Sequence, residues 1–240
     1  MREERTTLLA GWGISDRFSV FARLHYSHRD LTEIDDGAAD VSSASGIADP
    51  EIHGQARLWA SGLDGDVGIR SSVYAVFGLK TAWGENNASR AGERLDEHVQ
   101  PATGSTDWFA GRSASHQLNP RSVLFASMQY RHTGRNDSGC RYGRIRLLNL
   151  AYEHKLSARW DAVIEANFRQ SDLDQASAGE LGEPDTGGSI TYLTPRILFD
   201  AGGGWVLRAA TQIPLSNSGR NGHQDEGAVI NVGISRLFGQ

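Results

Sequence analysis

Apolar and polar side chains alternate with a period of two along most of this chain. In the segment 18–27, every second residue from Phe18 to Tyr26 is apolar, and the positions between them include Arg23 and His25. The segments that share this alternation are 52–60, 124–131 and 162–169. An amphipathic helix would instead place apolar residues at i, i+3 and i+4. The pattern therefore predicts an all-β chain whose strands have two faces of different polarity.

The alternating stretches predict about eleven strands, most of them about ten residues or longer. Their predicted bounds are 5–14, 17–30, 49–60, 69–82, 105–116, 121–132, 142–154, 159–170, 187–200, 204–216 and 226–238. A tilted strand needs about 9–11 residues to cross a bilayer, whereas strands of soluble proteins usually run about 5–6 residues. This excess length predicts an antiparallel up-and-down transmembrane β-barrel.

The predicted connections alternate between short turns and long loops. The short ones fall at 15–16, 61–69, 117–120, 156–159 and 201–204, and the long ones at 32–48, 84–104, 133–141, 171–186 and 217–226. Short periplasmic turns and long extracellular loops are typical of bacterial outer-membrane barrels. Either loop 32–48 or loop 84–104 is long enough to plug the interior.

The predicted strand count is odd, whereas bacterial single-chain barrels have an even number of strands. The last long loop directs the final strand towards the periplasm, and counting back from it places Met1 outside the cell. We therefore expect about 12 strands with the first one missing, so that residues 5–238 form one amino-terminally truncated barrel domain. The charged start Met1–Arg5 is followed by no apolar run, as expected if a signal peptide was lost with that strand. The alternative is a further strand within 87–101.

Composition narrows the class of function. A net charge of -5 argues against a nucleic-acid partner. The single cysteine, Cys140, excludes a disulfide framework, and no apolar run reaches the length of a transmembrane helix. The eight histidines show no metal-ligand spacing, so we expect no metal and no cofactor. The mean hydropathy of -0.42 is compatible with a membrane barrel, because only every second residue of its strands meets lipid.

The last predicted strand carries the first resemblance. Between Val229 and Phe238, apolar residues alternate around Gly233 and end on the aromatic Phe238, although Gly239-Gln240 extend past it. This pattern resembles the carboxy-terminal signal by which outer-membrane barrels are recognised for assembly. The resemblance implies that the barrel-assembly machinery and outer-membrane lipid are partners, and that the protein resides in the outer membrane of a Gram-negative bacterium.

The whole chain resembles the meta-pathway phenol-degradation family of outer-membrane barrels, a set of transporter-like channels. The segments that carry the resemblance are Leu9–Arg23, Ile47–Ile52, Phe77–Thr81, Thr194-Pro195 and Gln212–Leu215. The family's Pro-Thr-Gly after the third segment is replaced here by Ala82-Trp83-Gly84. The resemblance implies transport of small compounds, aromatic ones among them, and supplies no catalytic residue.

If the more apolar face meets lipid, the other face lines a basic lumen. The predicted pore-lining residues are Arg23, His25, His53, Arg57, Lys80, Arg131, Glu165, Arg169, Arg196 and Arg208. Rings of Arg or Lys bias a pore towards anions. Phe21, Trp59, Tyr74 and Phe125 are predicted on the same face, which would suit an aromatic carboxylate. In the alternative interpretation, the acidic residues lie mainly in the loops and the arginines pair with them to hold the structure together.

Aromatic residues near the predicted strand ends suit the girdles of a membrane barrel. They are Trp12, Tyr26, Trp83, Trp108, Tyr130, Trp160 and Trp205. Ordinary packing against a sheet is the other explanation of their positions.

We therefore expect a channel for passive passage of small solutes, anionic or aromatic, and not an enzyme. One alternative is an outer-membrane lipid hydrolase, because His25 and Ser27 form a His-x-Ser pair in which a histidine can activate a serine. Arg23 on the same face and the lack of a second hydrolase motif argue against it. A structural or adhesive barrel, or a soluble sandwich, is the other alternative.

Overall fold

The computed structural model describes residues 2–35, 38–62, 70–176, 186–219 and 227–238. Within these ranges the chain forms strands and turns, and none of it forms a helix that could cross a membrane. The strands are β1 (Arg2–Ser15), β2 (Phe18–Asp35), β3 (Ala38–Ile47), β4 (Glu51–Ser61), β5 (Ser71–Lys80), β6 (Ser89–Arg90), β7 (Glu93–Arg94), β8 (Asp107–Asn119), β9 (Ser122–His132), β10 (Ile145–Lys155), β11 (Trp160–Ser171), β12 (Gly188–Gly202), β13 (Trp205–Gly219) and β14 (Val229–Arg236). Met1, residues 239–240 and the connections predicted around 63–69, 177–185 and 220–226 lie outside the described residues.

One antiparallel sheet contains all of these strands except β6 and β7. Its order is β1-β2-β4-β5-β8-β9-β10-β11-β12-β13-β14, and β3 pairs with the distal half of β2. The eleven strands of this path coincide closely with the eleven predicted ones, which confirms the antiparallel all-β architecture. Two predicted loops contain additional strands, because 32–48 continues β2 into a hairpin with β3, and 84–104 contains the short β6–β7 hairpin.

The sheet curls so that one face is concave. Residues paired across an antiparallel ladder point to the same face. Glu51 on β4 forms an ion pair with Arg131 on β9, although β5 and β8 lie between these two strands in the sheet. A side-chain contact across two intervening strands requires the face that carries both residues to be the inside of the curve.

The convex face is apolar and exposed. The exposed large hydrophobic side chains on this face include Leu8, Leu24, Ile52, Leu79, Leu148, Leu150, Ile164, Ile230, Val232 and Ile234. Arg112 on β8 is a charged exception among them. Contiguous exposed apolar surface of this extent marks a protein or membrane contact, and an apolar band on the outside is typical of membrane barrels.

Aromatic side chains lie near both ends of the convex face. Trp12, Trp160 and Trp205 lie near the short turns, whereas Tyr26, Trp108 and Tyr130 lie near the long loops. We call the end of the sheet that carries the long loops the loop end, and the opposite end the turn end. At the loop end, the rings of Trp108 and Tyr130 meet edge to face at 5.7 Å. Trp83 is exposed but lies in the connection after β5, outside the strands.

The curled sheet is not closed within the described residues, because β1 and β14 each pair with one neighbour only. Both strands run from the loop end to the turn end, since the path between them reverses direction an even number of times. Residues 3–5 of β1 and 229–231 of β14 line one cavity of about 660 Å³, so the curl brings the two edges towards each other. An antiparallel closure would require one further strand between them, and the predicted twelfth strand stays a prediction.

Candidate functional site: a capped lumen

The register places all ten predicted pore-lining residues on the concave face. Arg23, His53 and Arg131, for example, are linked through the directly opposed pairs of β2, β4, β5, β8 and β9. Phe21, Tyr74 and Phe125 share this face, but the prediction for Trp59 is wrong. A bulge in β4 between Arg57 and Trp59 shifts the register by one residue and pairs Trp59 with Val73 on the convex face.

Carboxylates on the concave face balance much of its predicted positive charge. The ion pairs described there are Lys80 with Asp49 and Asp107, Arg23 and Arg131 with Glu51, Arg5 and Arg29 with Glu3, and Arg196 with Glu165. The prediction that the acidic residues lie mainly in loops is therefore incomplete, because Asp49, Glu51 and Asp107 lie at the loop end of the concave face. The ladder pairs Glu51 directly with Lys80, and that register is the signal that could have revealed them.

Lys80 lies at the centre of a buried group that we call the root cluster, formed by Asp49, Lys80, Thr103, Ser105 and Asp107. Lys80 Nζ donates to Asp49 Oδ2 at 2.9 Å and to Ser105 Oγ at 3.3 Å, lies 3.2 Å from Asp107 Oδ2, and also contacts the Thr103 hydroxyl. Asp49 Oδ2 accepts the backbone N–H of Thr103 at 3.0 Å. Asp49 and Lys80 belong to two of the segments that carry the family resemblance, and the fold joins them although they are 31 positions apart.

The root cluster fastens both ends of residues 81–106, a segment that we call the cap. Inside the cap, the fully buried Gln100 donates to the carbonyls of Ala88 at 3.0 Å and Leu95 at 2.9 Å. Its Oε1 accepts the Ala88 N–H at 2.8 Å. The predicted loop 84–104 is therefore a compact unit that holds its own shape.

The cap extends across the loop end of the concave face. On one side, Arg29 of β2 donates to the carbonyl of Gln100 at 2.7 Å. On the other side, His98 contacts Asp174, which follows β11. Since β2 and β11 lie far apart in the sheet order, the cap reaches over the opening between them.

The far contact is a group that we call the tip cluster, formed by Asp96, His98, Tyr142 and Asp174. His98 Nε2 lies 3.1 Å from Asp174 Oδ2, and His98 Nδ1 lies 3.1 Å from Asp96 Oδ1. Tyr142 packs edge-on against the imidazole and donates to the Glu97 carbonyl at 2.6 Å. The hydrogen bonds from Asp174 and Asp96 raise the pKa of His98 to about 10, so the ring is charged at neutral pH.

Below the cap, Glu51 joins two arginines in an arrangement that we call the Glu51 bridge. Its Oε2 lies 3.1 Å from Arg23 Nη1, and its Oε1 lies 2.5 Å from Arg131 Nη2. The guanidinium group of Arg131 lies 5.0 Å from the centre of the Phe109 ring. His53 stacks on Phe21 at 4.9 Å at the same level of the wall.

Towards the short turns, the concave face encloses a cavity of about 770 Å³. Its lining includes Tyr74, Phe125, Asn149, Asn167, Glu153, Glu165 and Arg196. Two further predicted residues, Arg57 and Arg208, form no ion pair within the part of the chain that the structure describes. These two arginines add positive charge to this face, and Glu153 and Asp161, which likewise form no ion pair in the described ranges, oppose it.

The His-x-Ser pair does not form a nucleophile–base contact here. His25 Nδ1 lies 2.8 Å from the Thr7 hydroxyl. Ser27 is fully buried and donates to Glu3 Oε1 at 3.5 Å. The two side chains share a face, as predicted, but each has a different partner.

Comparison with protein-family models finds no match, and comparison with curated proteins finds none either. Among solved structures, the chain is similar to an outer membrane channel from Pseudomonas putida F1, with a TM-score of 0.63 and 11% sequence identity. The similarity covers 95% of this chain and 79% of that one. At this identity it shows the fold alone, and membership of the phenol-degradation family stays a prediction. The chain therefore has the fold of an outer-membrane channel barrel.

Proposed function

We propose that the protein is an outer-membrane channel of a Gram-negative bacterium through which small solutes pass without chemical change. The observation that carries this proposal is the difference between the two faces of the sheet. The convex face is apolar, exposed and bordered by aromatic rows, as lipid contact demands. The concave face carries charged and amide side chains around a cavity of about 770 Å³. The similarity of fold to a channel supports the same function.

We further propose that the solutes are small anionic or aromatic compounds. Arg57 and Arg208 add positive charge to the concave face, and unpaired cations in a pore favour anions. Tyr74 and Phe125 offer ring surfaces beside the amides of Asn149 and Asn167. The resemblance to the phenol-degradation family points to the same class of solute.

The proposal assigns two partners besides the solute. Outer-membrane lipid would cover the convex face, including the exposed Ile230, Val232 and Ile234 of β14. The barrel-assembly machinery would recognise the carboxy-terminal segment through Gly233 in β14 and Phe238 just after it. A Cβ added at Gly233 would lie 2.6 Å from Arg208 Nε, so a larger residue there would displace the Arg208 side chain, whereas Phe238 is exposed. The proposal requires no cofactor, nucleic acid or catalytic group.

Conductance in planar lipid bilayers tests the channel. The refolded protein should produce discrete conductance steps, and its reversal potential in a KCl gradient should show preference for chloride. Heat-denatured protein in the same detergent is the control. Protein that is folded by circular dichroism and inserted, yet gives neither conductance nor liposome swelling, would favour a structural or adhesive barrel. Release of fatty acid from the lipid would instead favour the hydrolase.

A further inference from the structure

We propose that Glu51 is a positioning residue that sets the charge preference of the passage, because it holds and partly neutralises both Arg23 and Arg131. The inference rests on the proposed function, since a charge preference requires a passage. It identifies the acid of the Glu51 bridge, rather than the arginines, as the group that limits anion preference.

The geometry gives Glu51 two separate cationic partners. One carboxylate oxygen faces Arg23 on the neighbouring strand, and the other faces Arg131 on β9, three strands away in the other direction along the sheet. Arg131 reaches Glu51 by crossing the concave surface above Phe109. The bridge therefore spans β2, β4, β5, β8 and β9 immediately below the cap, at a level where Phe21 and His53 also occupy the wall.

The exposure of the three side chains determines what a passing ion meets. The Glu51 side chain is 7% exposed, whereas those of Arg23 and Arg131 are 36% and 19% exposed. An ion therefore approaches the guanidinium group of Arg23, and the carboxylate behind it lowers the positive potential there. The Glu51 bridge itself carries one net positive charge, from two guanidinium groups and one carboxylate, and removal of the carboxylate charge would leave two.

Glu165 offers a comparison on the same face. It pairs with the single Arg196 at 2.7 Å and lines the cavity of about 770 Å³. The potential of a fixed charge falls with distance and with the amount of water around it. Removal of the Glu165 charge should therefore change the selectivity less than removal of the Glu51 charge.

The test is the reversal potential in a KCl gradient for the wild type and four variants. Glu51→Gln keeps the shape of the side chain and should raise the chloride-to-potassium permeability ratio on the order of threefold. Glu165→Gln should raise it less, and Asp172→Asn, an exposed loop residue paired with Arg146, should leave it unchanged. The double variant R23Q/E51Q restores one net positive charge and should return the ratio close to that of the wild type.

The outcomes separate this inference from the proposed function. A permeability ratio in E51Q equal to or below that of the wild type would overturn the role of Glu51. A change of the ratio in E165Q as large as that in E51Q would do the same. Neither outcome would contradict the proposed channel function. A double variant that keeps the E51Q ratio would show that the change is structural. If E51Q does not fold, E51Q/R131Q keeps the net charge and should conduct with the wild-type ratio. Absence of conductance in the folded wild type removes the proposed function and this inference with it.

Discussion

The root cluster and the tip cluster, two of the attachments of the cap, differ in how far water reaches them. In the root cluster, the side chains of Asp49 and Lys80 are 1% and 7% exposed. In the tip cluster, those of His98 and Asp96 are 32% and 53% exposed, although that of Asp174 is only 12% exposed. The root also includes backbone N–H donors from the cap itself, whereas the tip is joined mainly through side chains of separate loops.

This difference assigns a separate role to each attachment. A buried ion pair is costly to break, because the remaining charge is left without water or a partner. An exposed pair contributes little, since water and salt replace the lost partner. The comparison predicts that the root determines whether the loop end of the barrel folds, and that the tip determines how often the cap lifts from the opening.

Breaking the root should have the largest effect. Lys80→Met leaves Asp49 and Asp107 buried and without their cation, which should lower the free energy of unfolding by about 3–5 kcal/mol. Urea unfolding of the protein in detergent micelles, followed by circular dichroism, measures the change.

The matched control is Lys155→Met, since Lys155 is exposed and pairs with no carboxylate in the described ranges. K155M should unfold at the wild-type urea concentration. If K80M does not refold, Asp107→Asn removes only one of the two carboxylates and should give a smaller loss. Equal midpoints for K80M and K155M would contradict the role of the root.

Breaking the tip should leave global stability almost unchanged and loosen the cap. Asp174→Asn keeps an oxygen that can accept the Gly143 N–H but removes the charge that faces His98. The free energy of unfolding should change by less than about 1 kcal/mol. Hydrogen exchange of cap amides should accelerate on the order of tenfold, because local opening controls exchange. Asp172→Asn in the same loop is the control. Equal exchange rates in both variants would contradict the proposal that the tip cluster holds the cap in place.

The same comparison shows what the sequence could predict. Strand positions and the concave placement of residues such as Arg131 depend only on a period of two and are visible locally. Trp59 could not be placed, because a bulge in β4 reverses its face without changing the composition of the segment. The pairing of Lys80 with Asp49 depends on the register between strands. His98 and Asp174 are 76 positions apart in the chain, and their contact depends on the path of the cap across the opening.

The pH dependence of the cap should be the smallest of these effects. The hydrogen bond with Asp174 raises the pKa of His98 to about 10, above the ordinary value of 6.5 that applies when the tip is open. A raised pKa contributes stability that is complete below 6.5 and is lost as the pH rises through 10. The hydrogen bond from His98 lowers the pKa of Asp96, so its contribution is present above the ordinary value of 3.8 and is lost on acidification. The attachment of the cap at the tip cluster should therefore be strongest between pH 3.8 and pH 6.5, the ordinary pKa values of Asp96 and His98.

Hydrogen exchange of the cap amides between pH 7 and pH 10.5, corrected for the intrinsic dependence of exchange on pH, measures how much of the stability contributed by His98 is lost at alkaline pH. The corrected rate should rise on the order of fivefold in the wild type, less than the full pKa shift implies, because the partly exposed His98 is screened by water and salt. His98→Gln removes the titrating group and should show a flat corrected rate at the level of the open wild type. A rise of the same size in the H98Q variant would assign the pH dependence to another group and remove the distinction between a permanent root and a releasable tip.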